Sequence, residues 1–324
     1  MSDNFCCFVW NVRGLNEHAR RFVVREFVML HKPSVVCVQE TKISALCNTL
    51  ANEILGPALD YVVLSAAGSA GGILLAWGRL AWAASYVQLG RFSISAKLSR
   101  VGSAGAQWWF TGVYGPHADD EKVQFLAELL QFRATVQGPW LLCGDFNMIY
   151  HAQDKNNGRL DRRCMRRFRS FIDQAGLEEI NMLGRSYSWS NQRAAPTLEL
   201  LDKVFATVDW LDEFPSHMLR PLSSDCSDHC SLLLISEPSS AGQRRFHFET
   251  FWTKVPGYGD IVKKAWDVPV AEADPFRVLD QKLRNVTVEL KRWSNNNIGS
   301  IRLQLAVARE IISRFDEEQE TRIL

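Results

Sequence analysis

The chain has 324 residues, 47% of them hydrophobic and 23% charged, with a formal net charge of +1 at pH 7. That is a globular composition, long enough for one large domain with an appendage, or for two domains. The near-zero net charge excludes a global pull toward nucleic acid or an anionic membrane, so any basic binding surface must be local.

The first residues, MSDNFCCFVW, lack the basic and apolar regions of a signal peptide. No run of about 18 uncharged apolar residues is present, so no membrane span is expected. The eight cysteines form no C-x-x-C pair, and Cys6, Cys7, Cys37, Cys143 and Cys230 lie in strand-like runs, as buried free thiols do. This usage points to a reducing, intracellular compartment. Cys226, His229 and Cys230 suggest half a zinc corner, but no second pair completes four ligands.

In chain order, Phe5–Val12 reads as a strand, His18–His31 as an amphipathic helix and Ser34–Gln39 as a second strand. Strand patterns follow at Tyr61–Ser65, Gly72–Trp77, Ser93–Leu98 and Trp108–Tyr114. Asp119–Val136 is helical, with Val123, Leu126, Leu129, Leu130 and Phe132 on one stripe. Trp140–Cys143 is a core strand. After the loop at 154–159 comes a helix with Met165, Phe168, Ile172 and Ala175 on one face and arginines mainly off it. Tyr187–Ser190, Leu200–Thr207 and His229–Ile235 close the region as strands. Hairpin-like and helix-linked strands are mixed, which implies an α/β sandwich rather than a purely parallel sheet. Residues 1–236 are read as one domain, the Ser/Pro/Gly-rich 237–244 as a linker, and 245–324 as a helical extension. Two amphipathic helices are expected in that extension, separated at Ser294–Gly299.

Polar residues recur at strand ends. Asn11 ends the first strand, Glu40 the second and Tyr114 a later one; Asp145 and Asn147 follow the core strand; Asp202 sits in LLDKVFA; Asp228 and His229 open the last strand. Strand alternation would put Asp145 and Asn147 on one side. In α/β sheets, ligand sites gather where strand ends meet loops. Carboxylates with an Asn carbonyl suit Mg²⁺ or Mn²⁺, and an acidic cluster facing a phosphodiester needs such a cation plus donors such as Asn147, Tyr114 and His229. Singly, each has an ordinary reading: Asn11 a turn, Glu40 a helix start, Tyr114 core, Asp228-His229 a strand entry. Their joint order points to hard-metal phosphate ester hydrolysis.

The ordered stretches WNVRG (10–14), QET (39–41), VYGP (113–116), GDFN (144–147), LDKVF (201–205) and SDH (227–229) resemble the endonuclease/exonuclease/phosphatase superfamily, the DNase I-like fold. The resemblance implies a four-layer α/β sandwich of two mixed β-sheets flanked by helices. DKNNGRL (154–160), SYSWSNQ (186–192) and LLDKVFAT (200–207) are similar to the endonuclease domain of plant LINE-type (non-LTR) retrotransposon polyproteins. The segments 245–258 and 298–311 resemble the stretch joining that endonuclease to a reverse transcriptase, so the chain is expected to be a truncated copy of such an element.

The resemblance implies that Glu40 is the principal metal ligand, with Asn11 and Asp228 near the ion. Asp145 would orient or deprotonate the attacking water, helped by Asn147. His229, oriented by Asp202, and Tyr114 would contact the phosphate. DNA is the implied partner, with the nucleus as its location, and Arg13, Arg159, Arg162, Arg163 and Arg166 are candidates for contacting its backbone. Other hydrolases of the same fold (an abasic-site nuclease, a deadenylase, a phosphatase) and a catalytically silent nucleic-acid-binding remnant remain alternative readings.

Overall fold

The first strand is buried on both faces, so each face needs its own cover. In the computed structural model Cys7 and Val9 point into one apolar cluster, while Phe8 and Trp10 point into another. The structure describes residues 5–236, except 69, 103–106, 215–216 and 224–225, and residues 252–297, except 254 and 273, together with 311–312 and 314–315.

The elements run β1 (Cys6–Asn11), α1 (His18–His31), β2 (Val35–Gln39), α2 (Asn48–Ile54), β3 (Leu59–Leu64), β4 (Ile73–Gly78), β5 (Trp82–Leu89), β6 (Ser93–Arg100) and β7 (Trp108–Tyr114). They continue as α3 (Asp119–Thr135), β8 (Trp140–Asp145), α4 (Arg162–Ala175), β9 (Leu177–Glu179), β10 (Trp189–Ser190), β11 (Leu198–Glu199), β12 (Asp202–Thr207), α5 (Val208–Glu213), β13 (His217–Leu222) and β14 (Ser231–Ser236). Beyond these lie α6 (Tyr258–Trp266) and α7 (Pro275–Asn297).

One six-stranded sheet has the order β13-β14-β1-β2-β4-β3, the other β5-β6-β7-β8-β12-β9. Both are mixed: β1 and β2 are parallel, as are β7 and β8, and the other pairings are antiparallel. The inner faces of the two sheets meet in a shared core containing Val9, Cys37, Leu75, Ala96, Phe110, Cys143 and Val204. Phe27 and Val28 of α1 cover the outer face of the first sheet, and Phe125, Leu129 and Phe168 of α3 and α4 cover the second. The result is the four-layer sandwich expected from the resemblance.

Several elements differ from the sequence reading. The edge strand β5 has a mostly exposed run and a register shift between Ala84 and Tyr86, so it shows no clean alternation. Short α2 and β9 carry too few residues for a periodic signal, and the edge strand β13 is interrupted by Arg220 and Pro221. The helix α7 runs through Asn297, so Ser294–Asn297 does not break it. The linker at 237–244 and most of the second tail helix, expected between Ile301 and Arg322, lie outside the described residues; 311–312 and 314–315 are helical. The described residues fall into two units: one made of those within Met1–Pro238 together with Arg314 and Phe315, the other of those within Ser239–Ile312. In the second unit, Trp252, Leu290 and Trp293 form a small buried cluster with Val255, Tyr258, Ile261, Val262 and Val286 against it.

Candidate active site

Chain direction explains why the polar strand ends converge. Parallel β7 and β8 finish at the same edge, and antiparallel β12 starts there, so Tyr114, Asp145 and Asp202 stand side by side in register. In the other sheet, Asn11 pairs with Gln39 at the ends of β1 and β2, leaving Glu40 just beyond. The segment before antiparallel β14 returns to that edge, with Ser227 Oγ donating to the Asn11 carbonyl at 2.8 Å.

Two side chains join the sheets. Asn11 Nδ2 donates to Asp145 Oδ2 at 2.8 Å, and its Oδ1 accepts the Arg13 N–H at 3.1 Å. His229 Nδ1 meets Asp202 Oδ2 at 2.7 Å, while His229 Nε2 lies 3.9 Å from Asp145 Oδ2. Asp145, Asp202 and His229 are all buried. Main-chain anchors hold them: the Trp10 indole donates to the His229 carbonyl at 3.0 Å, and Ser188 Oγ accepts the N–H of Asp202 at 2.9 Å.

The electrostatics follow from this burial. Burial pushes the Asp145 carboxyl up, to about 6; the Asp202 charge adds to it, and His229 and the hydrogen bonds from Asn147 and Asn11 work against it. For His229, burial favours the neutral ring, but the Asp202 and Asp145 charges and the Asp202 hydrogen bond outweigh it and raise its pKa to about 9. At neutral pH the imidazole is therefore a cation held between two carboxylates. Burial and the Glu40 and Asp145 charges hold the Tyr114 hydroxyl well above the usual phenol range, so it stays a donor.

The GDFN turn differs from the alternation argument. The strand β8 ends at Asp145, Phe146 is buried in the outer core, and Asn147 sits in a turn with φ 50°. Asn147 reaches the site because the chain reverses, not because residues alternate. Its N–H donates to Asp145 Oδ1 at 2.9 Å and its Nδ2 to the Gly115 carbonyl at 2.6 Å. Gly144 is required here: its φ is 139°, and a Cβ would come within 2.1 Å of the Val113 carbonyl oxygen. His229 does not open β14 either. It lies two residues earlier, in an isolated bridge to Trp189 that places its ring beside the indole.

Glu40, with φ 52°, pairs with Lys42 at 3.0 Å. Asp228 Oδ2 accepts from Arg13 at 2.7 Å and from the Trp189 indole at 2.9 Å. Asp228 Oδ1 and Asp202 Oδ1 are buried without a hydrogen-bond partner. Such unpartnered oxygens fit a hard divalent cation, and Glu40, just beyond the end of β2, offers a further carboxylate. Among the described residues, the grouping tight enough to hold an ion is Asp145, Asp202 and His229, with donor atoms within 4.8 Å of one another. In that grouping His229 Nδ1 is already engaged by Asp202, whereas Asp228 Oδ1 is unpartnered, which favours the Glu40 and Asp228 side for a cation. Arg159, Arg162, Arg163 and Arg166 are exposed on the approach to α4 and its first turns, where Asp161 caps the helix by accepting from Arg163 and Cys164.

Sequence reasoning passed over Lys203. Its fully buried ammonium lies 2.9 Å from Asp154 and 2.7 Å from Glu179. Asp154 in turn accepts the N–H groups of Tyr150 and His151, at 2.8 Å each, and so fixes the loop after Asn147. The signal was a lysine inside the apolar run LDKVFA.

The model of the Endonuclease/Exonuclease/phosphatase family matches residues 8–229. No curated protein sequence matches the chain. Among solved structures, the chain is similar to an AP endonuclease from Leishmania major, at 16% identity and TM-score 0.57, covering 74% of this chain and 89% of that one. It is similar to the 3′ phosphatase NExo from Neisseria, at 18% identity and TM-score 0.58, covering 71% and 98%. The endonuclease domain of TRAS1, a telomere-specific non-LTR retrotransposon, aligns at 12% identity and TM-score 0.55, covering 72% and 98%. The matched stretch runs from the middle of β1 to His229 and so carries every strand end that meets at the two-sheet edge: the chain belongs to the endonuclease/exonuclease/phosphatase family.

Proposed function

We propose that the chain is a divalent-metal-dependent phosphodiester hydrolase that nicks DNA, of the non-LTR retrotransposon type. The observation that carries the chemistry is the buried Asp202–His229–Asp145 array. It sets a protonated imidazole beside a carboxylate poised near neutrality. Asp145 takes the proton of the attacking water. Asn11 holds that carboxylate in place from the opposite sheet, and the Asn147 N–H fixes its other oxygen. His229 donates from Nε2 to a phosphate oxygen, with Asp202 on Nδ1 setting the ring's orientation. Tyr114 donates to the phosphate as a neutral phenol. Glu40, with Asp228 and Asn11 beside it, would hold Mg²⁺ or Mn²⁺, which supplies charge neutralisation at the phosphate.

The retrotransposon assignment is supported by the stretches DKNNGRL, SYSWSNQ and LLDKVFAT and by the likeness to the TRAS1 endonuclease domain. On this reading the helical extension, with α6 and α7, leads toward a reverse transcriptase in a full-length element, and the protein works in the nucleus. Among the described residues no helix is long and apolar enough to cross a membrane. A substrate panel tests the reading: intact supercoiled plasmid, a duplex with one abasic site, and a duplex with a 3′ phosphate, each with Mg²⁺. Nicking of the intact plasmid at rates comparable to the abasic duplex is expected. Turnover confined to the abasic or the 3′-phosphate duplex would replace the nicking assignment with a repair-type one.

A further inference from the structure

The edges of the two six-stranded sheets are not protected alike. β13 carries Arg220 and Pro221, β3 carries Asp60 paired with Arg79, and β9 spans only Leu177–Glu179. Charge, proline and shortness each keep an open edge from pairing with another chain. β5, the remaining edge, uses none of them: its sequence, WAASYVQL, holds no charge and no proline. Val87 and Leu89 are 38% and 52% exposed there. The register with β6 sets Val87 opposite Ala96 and Leu89 opposite Ile94, and both of those lie in the inter-sheet core. Val87 and Leu89 therefore continue the apolar inner face to the point where the sheet runs out.

The backbone is presented at the same two residues. The Gly90 N–H donates to the Ser93 carbonyl at 2.8 Å, so Gly90 and Ser93 are a hydrogen-bonded pair of the β5–β6 ladder. Bonded and unbonded pairs alternate in an antiparallel ladder. Leu89 and Val87 thus fall at unbonded positions and turn their N–H and C=O groups away from β6. Outward main-chain groups with exposed apolar side chains on the same residues are what the addition of a strand requires.

Symmetry and charge identify the occupant. Two copies of β5 laid antiparallel about Gln88 put Val87 against the partner's Leu89 and Leu89 against the partner's Val87, each at outward-facing positions. No charge within Trp82–Leu89 meets its own copy, whereas a charged peptide would find no counter-ion on this strand. The neighbouring cation, Arg91, is already held by Glu121 and Gln124 of α3.

We propose that β5 is the interface for a second copy of this chain, joined by antiparallel strand addition about Gln88. The second sheets of the two copies become one continuous sheet, and Val87 and Leu89 of both copies close an apolar cluster on its inner face. The guarded edges stop association at two chains. β5 runs in the same direction as β7, so the pairing turns the second catalytic edge to face the opposite way. The proposal is independent of the nuclease reading. A contact built on one strand is small, and the dissociation constant is expected to be on the order of 10 µM.

Sedimentation velocity of the full chain, from about 1 to 200 µM, tests it. The mass should rise from one chain toward two. Val87→Lys/Leu89→Lys sets ammonium against ammonium across the pair and should weaken association about tenfold or more. Val87→Lys/Leu89→Glu sets ammonium against carboxylate in this register and should recover most of the loss. The control is Leu30→Lys, at an exposed apolar position of α1, which should change nothing. Melting temperature confirms that each variant is folded. Gln88→Cys gives an independent reading: its thiols meet at the two-fold axis, so mild oxidation should link two chains to an extent that wild type does not reach. A single chain at every concentration would overturn the proposal. So would masses beyond two chains, a dimer indifferent to the two lysines, or one that the lysine and glutamate together fail to restore. A monomer whose melting temperature falls in Val87→Lys/Leu89→Lys would assign β5 to a segment of the same chain instead.

Discussion

Asp202 gives His229 its charge, and the imidazole's titration reports the pair. The folded-state pKa, about 9, lies above the ordinary 6.5. The pairing therefore stabilises the fold fully below the unfolded value, and that stability is lost as pH rises through the folded one. Removing the Asp202 charge leaves burial, which favours the neutral ring, opposed mainly by Asp145. In Asp202→Asn the His229 titration followed by NMR should drop by at least one unit; an unmoved titration would mean that Asp145 alone sets the charge. Asn11 shows where sequence reading stops at this scale. The strand-end pattern marked it as polar and near the site, but not that both ends of its side chain are bonded and that it braces Asp145 from the opposite sheet. Pairing across sheets is long-range and leaves no periodic trace in either strand.

Strands with two buried faces (β1, β2, β7, β8) and helices with one apolar stripe (α1, α3) were legible, and lie within a residue or two of where apolar runs and stripes predict them. Elements held by pairing alone were not, as the exposed edge strand β5 shows. The GDFN turn was legible as a site but misread as geometry, because a turn of positive φ brings Asn147 back to Asp145. Lys203 illustrates a third case. A buried cation in β12 looks like a fault in an apolar run until the β8–α4 loop is folded over it. Lys203→Ala strands the Asp154 and Glu179 carboxylates, and breaking a buried ion pair typically costs about 3–5 kcal/mol. Urea unfolding should show that loss, together with slower nicking from a loosened Asn147 loop. A variant as stable as wild type would show that water replaces the ammonium at no cost.

At the scale of the whole molecule, every residue assigned to the chemistry precedes β14, within the Met1–Pro238 part of the first unit. A shortened chain ending at Glu237 should therefore fold and nick plasmid at close to the full-length rate. A soluble, folded but inactive fragment would make the helical unit part of the site. The family was legible from six short stretches because each marks a strand end, and the two-sheet fold brings strand ends to one edge.

The central claim is that this edge hydrolyses DNA phosphodiesters with a divalent cation held on the Glu40 side and Asp145 as the base. Its most direct measurement is the single-turnover rate of supercoiled-plasmid nicking by wild type, Glu40→Gln and Asp145→Asn, each in Mg²⁺ and in EDTA. General-base removal typically costs about 10²–10⁴-fold. The account predicts rapid nicking by wild type in Mg²⁺ alone, a loss of that order in Asp145→Asn, and a loss in Glu40→Gln that higher Mg²⁺ partly restores. Nicking by wild type in EDTA, or undiminished Mg²⁺-dependent nicking by either variant, would contradict it.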